Sequence, residues 1–185
     1  MAGVLPWALP ISDGRPAWSA VSAQDVTVRR AAEDELRQLT ATLAEQAVRD
    51  PLTGLANRVL LEERLRVGLA RDGRTGRSTG LLFLDLDGFK GINDHYGHLV
   101  GDGVLRTVAT RLASAVRPSD TVARLGGDEF VVLVEDAQHD DVEALAGRLQ
   151  EAVAEPIRLA ENEGSVGVSI GIAVCAGERD SPSAM

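Results

Sequence analysis

Apolar positions recur along this chain with two different periods. From Asn57 the run NRVLLEERLRVGLA places Leu61, Leu65 and Leu69 on one helical face, and the polar, glycine-rich RDGRTGRSTG after it reads as a loop. LLFLDLD is an unbroken apolar run ending in carboxylates, as a buried strand would be. Helical spacing returns in GDGVLRTVATRLASAV, through Val104, Leu105, Val108, Leu112 and Val116. TVARL and FVVLV read as short strands joined by Gly126-Gly127-Asp128-Glu129, a hairpin by composition. Residues 138–154 form another amphipathic helix, carrying Val142, Leu145, Leu149 and Val153, and SVGVSIGIAV (165–174) is a final strand. The order β-α-β-β-α-β predicts an α+β fold of the ferredoxin-like class, with helices on one face of a sheet containing antiparallel strands.

Upstream the pattern changes. Residues 1–28 hold both tryptophans, three of the seven prolines and a β-like stretch from Ala17 to Val28. They are too few to bury a core, and read as the end of another domain or a loose tail. Residues 29–49, RRAAEDELRQLTATLAEQAVR, lack Gly and Pro and consist largely of good helix formers. Leu36, Leu39 and Leu43 fall at heptad-like spacing, extended by Ala32 and Gln46. That predicts an N-terminal helical stalk fit to pair with a second copy, or else a helix packed on its own domain. Asp50-Pro51 ends it, because proline disfavours helical geometry in the residue before it.

Composition narrows the functional classes. With 44% hydrophobic and 25% charged residues over 185 positions, the chain is an ordinary folded protein of about one domain. Nineteen Lys and Arg against 28 Asp and Glu give a net charge of −9, which repels phosphate backbones and argues against nucleic acid as a partner. A small anion in a locally basic or metal-lined pocket remains compatible. The single Cys175 excludes an intramolecular disulfide. No apolar run reaches the roughly 18 residues of a membrane span. The N-terminal patch has no basic residue before it and is interrupted by Pro6 and Pro10, so it is not read as a signal peptide. The expected location is the cytoplasm.

Candidate chemistry gathers at strand ends. Asp85 and Asp87 close the LLFLDLD strand, and we expect them on opposite faces, so that at most one serves a given site. Asp128 and Glu129 sit in the hairpin turn, where the Gly pair exposes backbone to a ligand. If the hairpin lies beside the first strand, Asp85 and a turn carboxylate converge at one sheet edge. Two or three hard oxygens on a rigid frame suit Mg²⁺, which takes its remaining ligands from water and substrate phosphate. Phosphoryl or nucleotidyl transfer is the favoured chemistry. The plainer alternative, solvated strand-end acids, is preferred for Asp87 alone. Gly88-Phe89-Lys90 leads into a helix whose first N–H groups make an anion site, with Lys90 adding a charge. Asn93 and Asp102 flank YGH, read as a loop. A carboxylate can accept the N1–H and N2–H₂ protons of guanine while an amide reads the neighbouring edge; Asp102 also serves a helix N-terminus equally well. His95 and His98 are read as structural.

These residues resemble a family. DPLTGLANR (50–58), FLDLDGFKGINDHYGHLVGD (83–102), RLGGDEF (124–130) and VSIGIAV (168–174) are similar to the successive signatures of GGDEF-domain diguanylate cyclases, in order and spacing. The resemblance implies a nucleotidyl-cyclase, polymerase-palm-like sheet. It further implies condensation of two GTP into cyclic di-GMP with release of two pyrophosphates, in a homodimer whose facing domains each hold one GTP and Mg²⁺ (or Mn²⁺). Asp85 and Asp128 would be metal ligands, the Leu86 carbonyl assisting, and Glu129 would activate the 3′-hydroxyl or bind a second metal. The Gly88–Lys90 backbone, Phe89 included, would hold phosphates, Asn93 and Asp102 would read guanine, and Gly126 and Gly127 would form the motif turn. A catalytically impaired module that binds GTP or cyclic di-GMP for regulation is the alternative.

The resemblance also suggests limits and regulation. Residues 25–39 are similar to the junction after a PAS sensor, so 1–28 would be the tail of a PAS-like domain, 29–49 a coiled-coil-like linker, and 50–185 a GGDEF domain lacking its C-terminal helix. Arg117-Pro118-Ser119-Asp120 is an R-x-x-D at the offset from the turn where family members carry an inhibitory cyclic di-GMP site. Arg148, supplied by a neighbouring domain, would complete it. The plain alternative is a local Arg–Asp pair in a solvated connection.

Overall fold

Strand LLFLDLD sorts its side chains by parity, and the whole domain is layered on that alternation. The computed structural model describes residues 11–12, 15–16, 30–39, 43, 46–75, 77–137, 139–159 and 162–176. It divides into two units, Met1–Ala47 and Val48–Met185.

In the first unit Ile11–Ser12 pairs antiparallel with Arg15–Pro16. Residues 30–39 are helical, with Leu36 and Leu39 exposed and an Arg37–Asp34 ion pair one turn apart. The β-like stretch Ala17–Val28 lies outside the described residues.

The second unit runs α1 (Arg58–Thr75), β1 (Ser78–Asp87), α2 (Phe89–Tyr96), α3 (His98–Ala115), β2 (Thr121–Gly126), β3 (Glu129–Val134), α4 (His139–Ala154), β4 (Ile157–Leu159), β5 (Asn162–Gly164) and β6 (Gly167–Ala176). The main sheet has the order β2-β3-β1-β6, every neighbouring pair antiparallel, and β4 and β5 make a separate hairpin. This is the ferredoxin-like arrangement expected from the element order.

One sheet face carries Leu82, Leu84, Leu86, Phe130 and Val132, buried against Val104, Val108 and Leu112 of α3 and Val142, Leu149 and Val153 of α4. The other carries Leu81, Ala123, Val131 and Leu133, covered by Leu61 with Leu60 and Leu65 of α1. Helices therefore pack on both faces, not one, because β1 and β3 are apolar at even and odd positions alike. Among the described residues no helix is long and apolar enough to cross a membrane.

Two local expectations are corrected. The polar stretch after Ala70 is not a loop: α1 continues through it to Thr75. Its inner face runs Leu61, Leu65, Gly68 and Asp72, while Leu69 is exposed. Asp72 is buried and accepts a hydrogen bond from the Thr79 hydroxyl at the start of β1, and Arg71 donates to Glu135 at 2.6 Å. These ties offset the helix penalty of Gly73. Val116, expected to close the helical stripe, is the extended residue that caps α3.

Candidate active site

Phe83, Asp85 and Asp87 emerge together on the α1 side of β1, since residues two apart on a strand share a face. The expectation that Asp85 and Asp87 point apart is thus overturned. Register supplies the neighbours. Asp85 stands opposite Glu129 of β3 on one side and Ser169 of β6 on the other. All three border a cleft of about 730 Å³ with Arg58, Phe83 and Gly171. Asp87, opposite Gly167, accepts a 2.7 Å hydrogen bond from the Ser169 hydroxyl, which commits it to the sheet.

The motif turn is a two-residue hairpin loop, Gly127-Asp128, closed by the Gly126–Glu129 pair. Gly127 takes φ +55°, the left-handed value such a loop requires at its first position. Arg124 fixes the turn from behind: Nε and Nη2 donate to the Gly127 carbonyl at 3.0 and 2.7 Å, while Nη1 donates to both Asp50 oxygens at 3.1 Å. Asp50 also accepts from the Thr53 N–H and hydroxyl. Burial pushes the Asp50 carboxyl upward, but the Thr53 bonds and Arg124 outweigh it and hold it below the ordinary carboxylate value.

Asp128 lies in the turn, outside the lining of the Asp85–Glu129 cleft. Among the described residues no three His, Cys, Asp or Glu side chains are gathered at one point to hold an ion. The chain's donor set is the Asp85–Glu129 rung, with Asp128 and the Leu86 carbonyl adjacent in sequence. No hydrogen bond within the described residues occupies the carboxylates of Asp85, Asp128 or Glu129. Hard oxygens in this number fit Mg²⁺, which keeps waters and substrate oxygens in its shell.

Gly88, at φ +74°, turns the chain from β1 into α2, whose first turn no side chain caps. The N–H groups there lack intrahelical partners, which suits an anion. Phe89 is buried and anchors the turn; Lys90 is exposed. The expected YGH loop is a single residue: Gly97, at φ +82°, separates α2 from α3 and donates its N–H to the Asn93 carbonyl at 2.9 Å. Asn93 therefore lies in the second turn of α2 and Asp102 in the second turn of α3, on either side of Gly97. His95 packs edge-on against Tyr96.

Arg117 and Asp120 close a tight turn. The Arg117 N–H donates to Asp120 Oδ2 at 3.0 Å, and the Asp120 N–H to the Arg117 carbonyl at 3.0 Å. Arg148 of α4 lines the same small pocket from within this chain, rather than only from a neighbouring one. Arg124, Arg58 and Ser169 were not singled out from the sequence, although each falls inside a quoted signature: Arg58 ends DPLTGLANR, Arg124 opens RLGGDEF and Ser169 is the second residue of VSIGIAV.

Residues 47–185 match the family model described as "Diguanylate cyclase, GGDEF domain". The chain belongs to the GGDEF family. It is 43% identical over 143 residues to the bifunctional diguanylate cyclase/cyclic di-GMP phosphodiesterase MucR of Pseudomonas aeruginosa, covering 77% of this chain and 21% of MucR. It is 41% identical over 152 residues to the diguanylate cyclase TpbB of the same species, covering 81% of this chain and 35% of TpbB. The chain thus spans about a fifth to a third of the curated relatives quoted. Among solved GGDEF structures, the coiled coil and GGDEF domain of DgcB from Caulobacter crescentus, in complex with c-di-GMP, superposes with a TM-score of 0.78 at 30% identity, over 84% of this chain and 83% of that one.

Proposed function

We propose that this GGDEF domain condenses two GTP into cyclic di-GMP and two pyrophosphates. The observation that carries the reading is the Asp85–Glu129 rung, two carboxylates that line one cleft beside the motif turn and take no hydrogen bond from the described residues. In each half-reaction the 3′-oxygen of one GTP attacks the α-phosphorus of the other and the bond to pyrophosphate breaks. Glu129 takes the hydroxyl proton. Asp85, Asp128 and the Leu86 carbonyl would hold Mg²⁺ or Mn²⁺, which supplies charge stabilisation at the transferring phosphoryl group. The uncapped first turn of α2, from Gly88 through Phe89 to Lys90, binds phosphate oxygens. Asp102 accepts the guanine N1–H and N2–H₂ protons and the Asn93 amide reads the adjoining edge, a pattern adenine does not satisfy.

A domain with one such set binds one GTP, so the product requires two copies facing each other. The exposed Leu36, Leu39 and Leu43 of the N-terminal unit are suited to bring them together. Arg117, Asp120 and Arg148 form a second nucleotide pocket, for the product as inhibitor.

The test is incubation of the purified chain with GTP and Mg²⁺, with products resolved by chromatography. Cyclic di-GMP is expected from the wild-type chain and none from Glu129→Ala or Asp128→Ala. Near wild-type turnover in either variant would overturn the assignment. A chain that binds GTP without turning it over would instead be a regulatory module.

A further inference from the structure

Gly101 lies buried in the early part of α3, within a helix where glycine is a poorer choice than alanine. Its backbone gives no reason for glycine, since its φ is not among the positive ones. Space does. A β-carbon at Gly101 would overlap Asn93 Oδ1 and lie 3.0 Å from Asn93 Cγ, whereas Phe89 Cζ, the next nearest atom, stands at an ordinary 3.4 Å. The one obstacle to alanine is the Asn93 amide, which rests on the bare patch of α3 immediately before Asp102.

We propose that Gly101 is a positioning residue for guanine recognition: by carrying no side chain it sets where the Asn93 amide stands relative to the Asp102 carboxylate. The proposal rests on the reading of Asn93 and Asp102 as the base contacts. No hydrogen bond within the described residues engages either side chain, so close packing on Gly101 is what places the amide. An amide at the end of a flexible side chain yields to a methyl group by rotating. Alanine at this position therefore turns the reading group away while leaving the helix intact, and its better helix propensity favours the fold.

The two effects separate in a double-mutant cycle of wild type, Gly101→Ala, Asn93→Ala and the double variant. Thermal melting and calorimetric titration with GTP, and with ATP as control, are measured on each. Gly101→Ala is expected to melt no lower than wild type and to bind GTP about tenfold more weakly, the worth of a hydrogen bond to the base. ATP binding should be unaffected. In the Asn93→Ala background the same substitution should have no further effect on GTP, because the side chain it displaces is gone. Wild-type GTP affinity in Gly101→Ala, losses that simply add, or unfolding in both backgrounds would each overturn the proposal. Wild-type affinity in Asn93→Ala would instead strike the guanine reading beneath it.

Discussion

Arg124 and Asp50, 74 residues apart, form a two-oxygen ion pair whose guanidinium also holds the carbonyl of Gly127. Both side chains are largely shielded from solvent, at 11% and 15% exposure, so the pair is not a solvated surface contact. Backbone bonds run alongside it, with the Arg124 N–H donating to the Ala56 carbonyl at 2.9 Å and the Ala56 N–H to the Val122 carbonyl at 3.2 Å. The segment before α1 is thereby strapped to the strand that leads into the motif turn.

Removing one partner leaves a shielded charge uncompensated. Asp50→Ala is expected to lower unfolding stability by about 3 kcal/mol, read as a lower urea midpoint. Cyclic di-GMP formation should fall as well, although Asp50 touches no substrate, because the turn loses its brace. An unchanged midpoint would show that the pair contributes nothing.

Acid should act through the same carboxyl. Because folding depresses the Asp50 pKa, the unfolded chain binds more protons in the window between its two values, and stability there rises with pH. The contribution is complete above the unfolded value, about pH 4, and drains away as the pH falls through the folded one. Urea titrations at pH 7 and pH 3 should show a smaller acid loss in Asp50→Asn than in wild type. Equal losses would assign the acid sensitivity to other groups.

Parity on β1 gives a test at adjacent positions. Leu82 is fully buried and Phe83 is 51% exposed. Leu82→Ala should cost about 3 kcal/mol, cavity included, while Phe83→Ala should cost under about 1 kcal/mol for the area it still covers. Chemical denaturation of both variants checks this, and comparable losses would contradict the layering.

For the second nucleotide pocket, calorimetry should find cyclic di-GMP binding that survives Asp128→Ala and disappears in Arg117→Ala. Arg148→Ala should weaken it by about tenfold, the value of a charge-assisted contact. Equal affinity in wild type and Arg117→Ala would dismiss the site.

What the sequence revealed followed the range of the forces involved. β1 and β3 were legible because burial on both faces writes an unbroken apolar run. The motif turn was legible because glycine is the residue that most readily takes the positive φ found at Gly126 and Gly127. The end of α1 was not, since it is held by Asp72 on Thr79 and by Arg71 on Glu135, and a local window sees only charges and a glycine. Arg124 was passed over for the same reason, its partner being remote. The fault with Asp85 and Asp87 was of another kind: strand geometry already places them on one face. The β4–β5 hairpin has three residues per strand, too short for alternation to show.

The rung shared by Glu129, Asp85 and Ser169 makes the sheet a gauge for the cleft. Insert a single residue early in β1 and the positions beyond it change sides: a leucine enters the cleft and a carboxylate is driven against α3 and α4. The β4–β5 hairpin, which lies outside the main sheet, can change length without moving these carboxylates; the motif turn that carries Asp128 cannot. In β1 only a change of two residues keeps the leucines in the core and the carboxylates at the cleft.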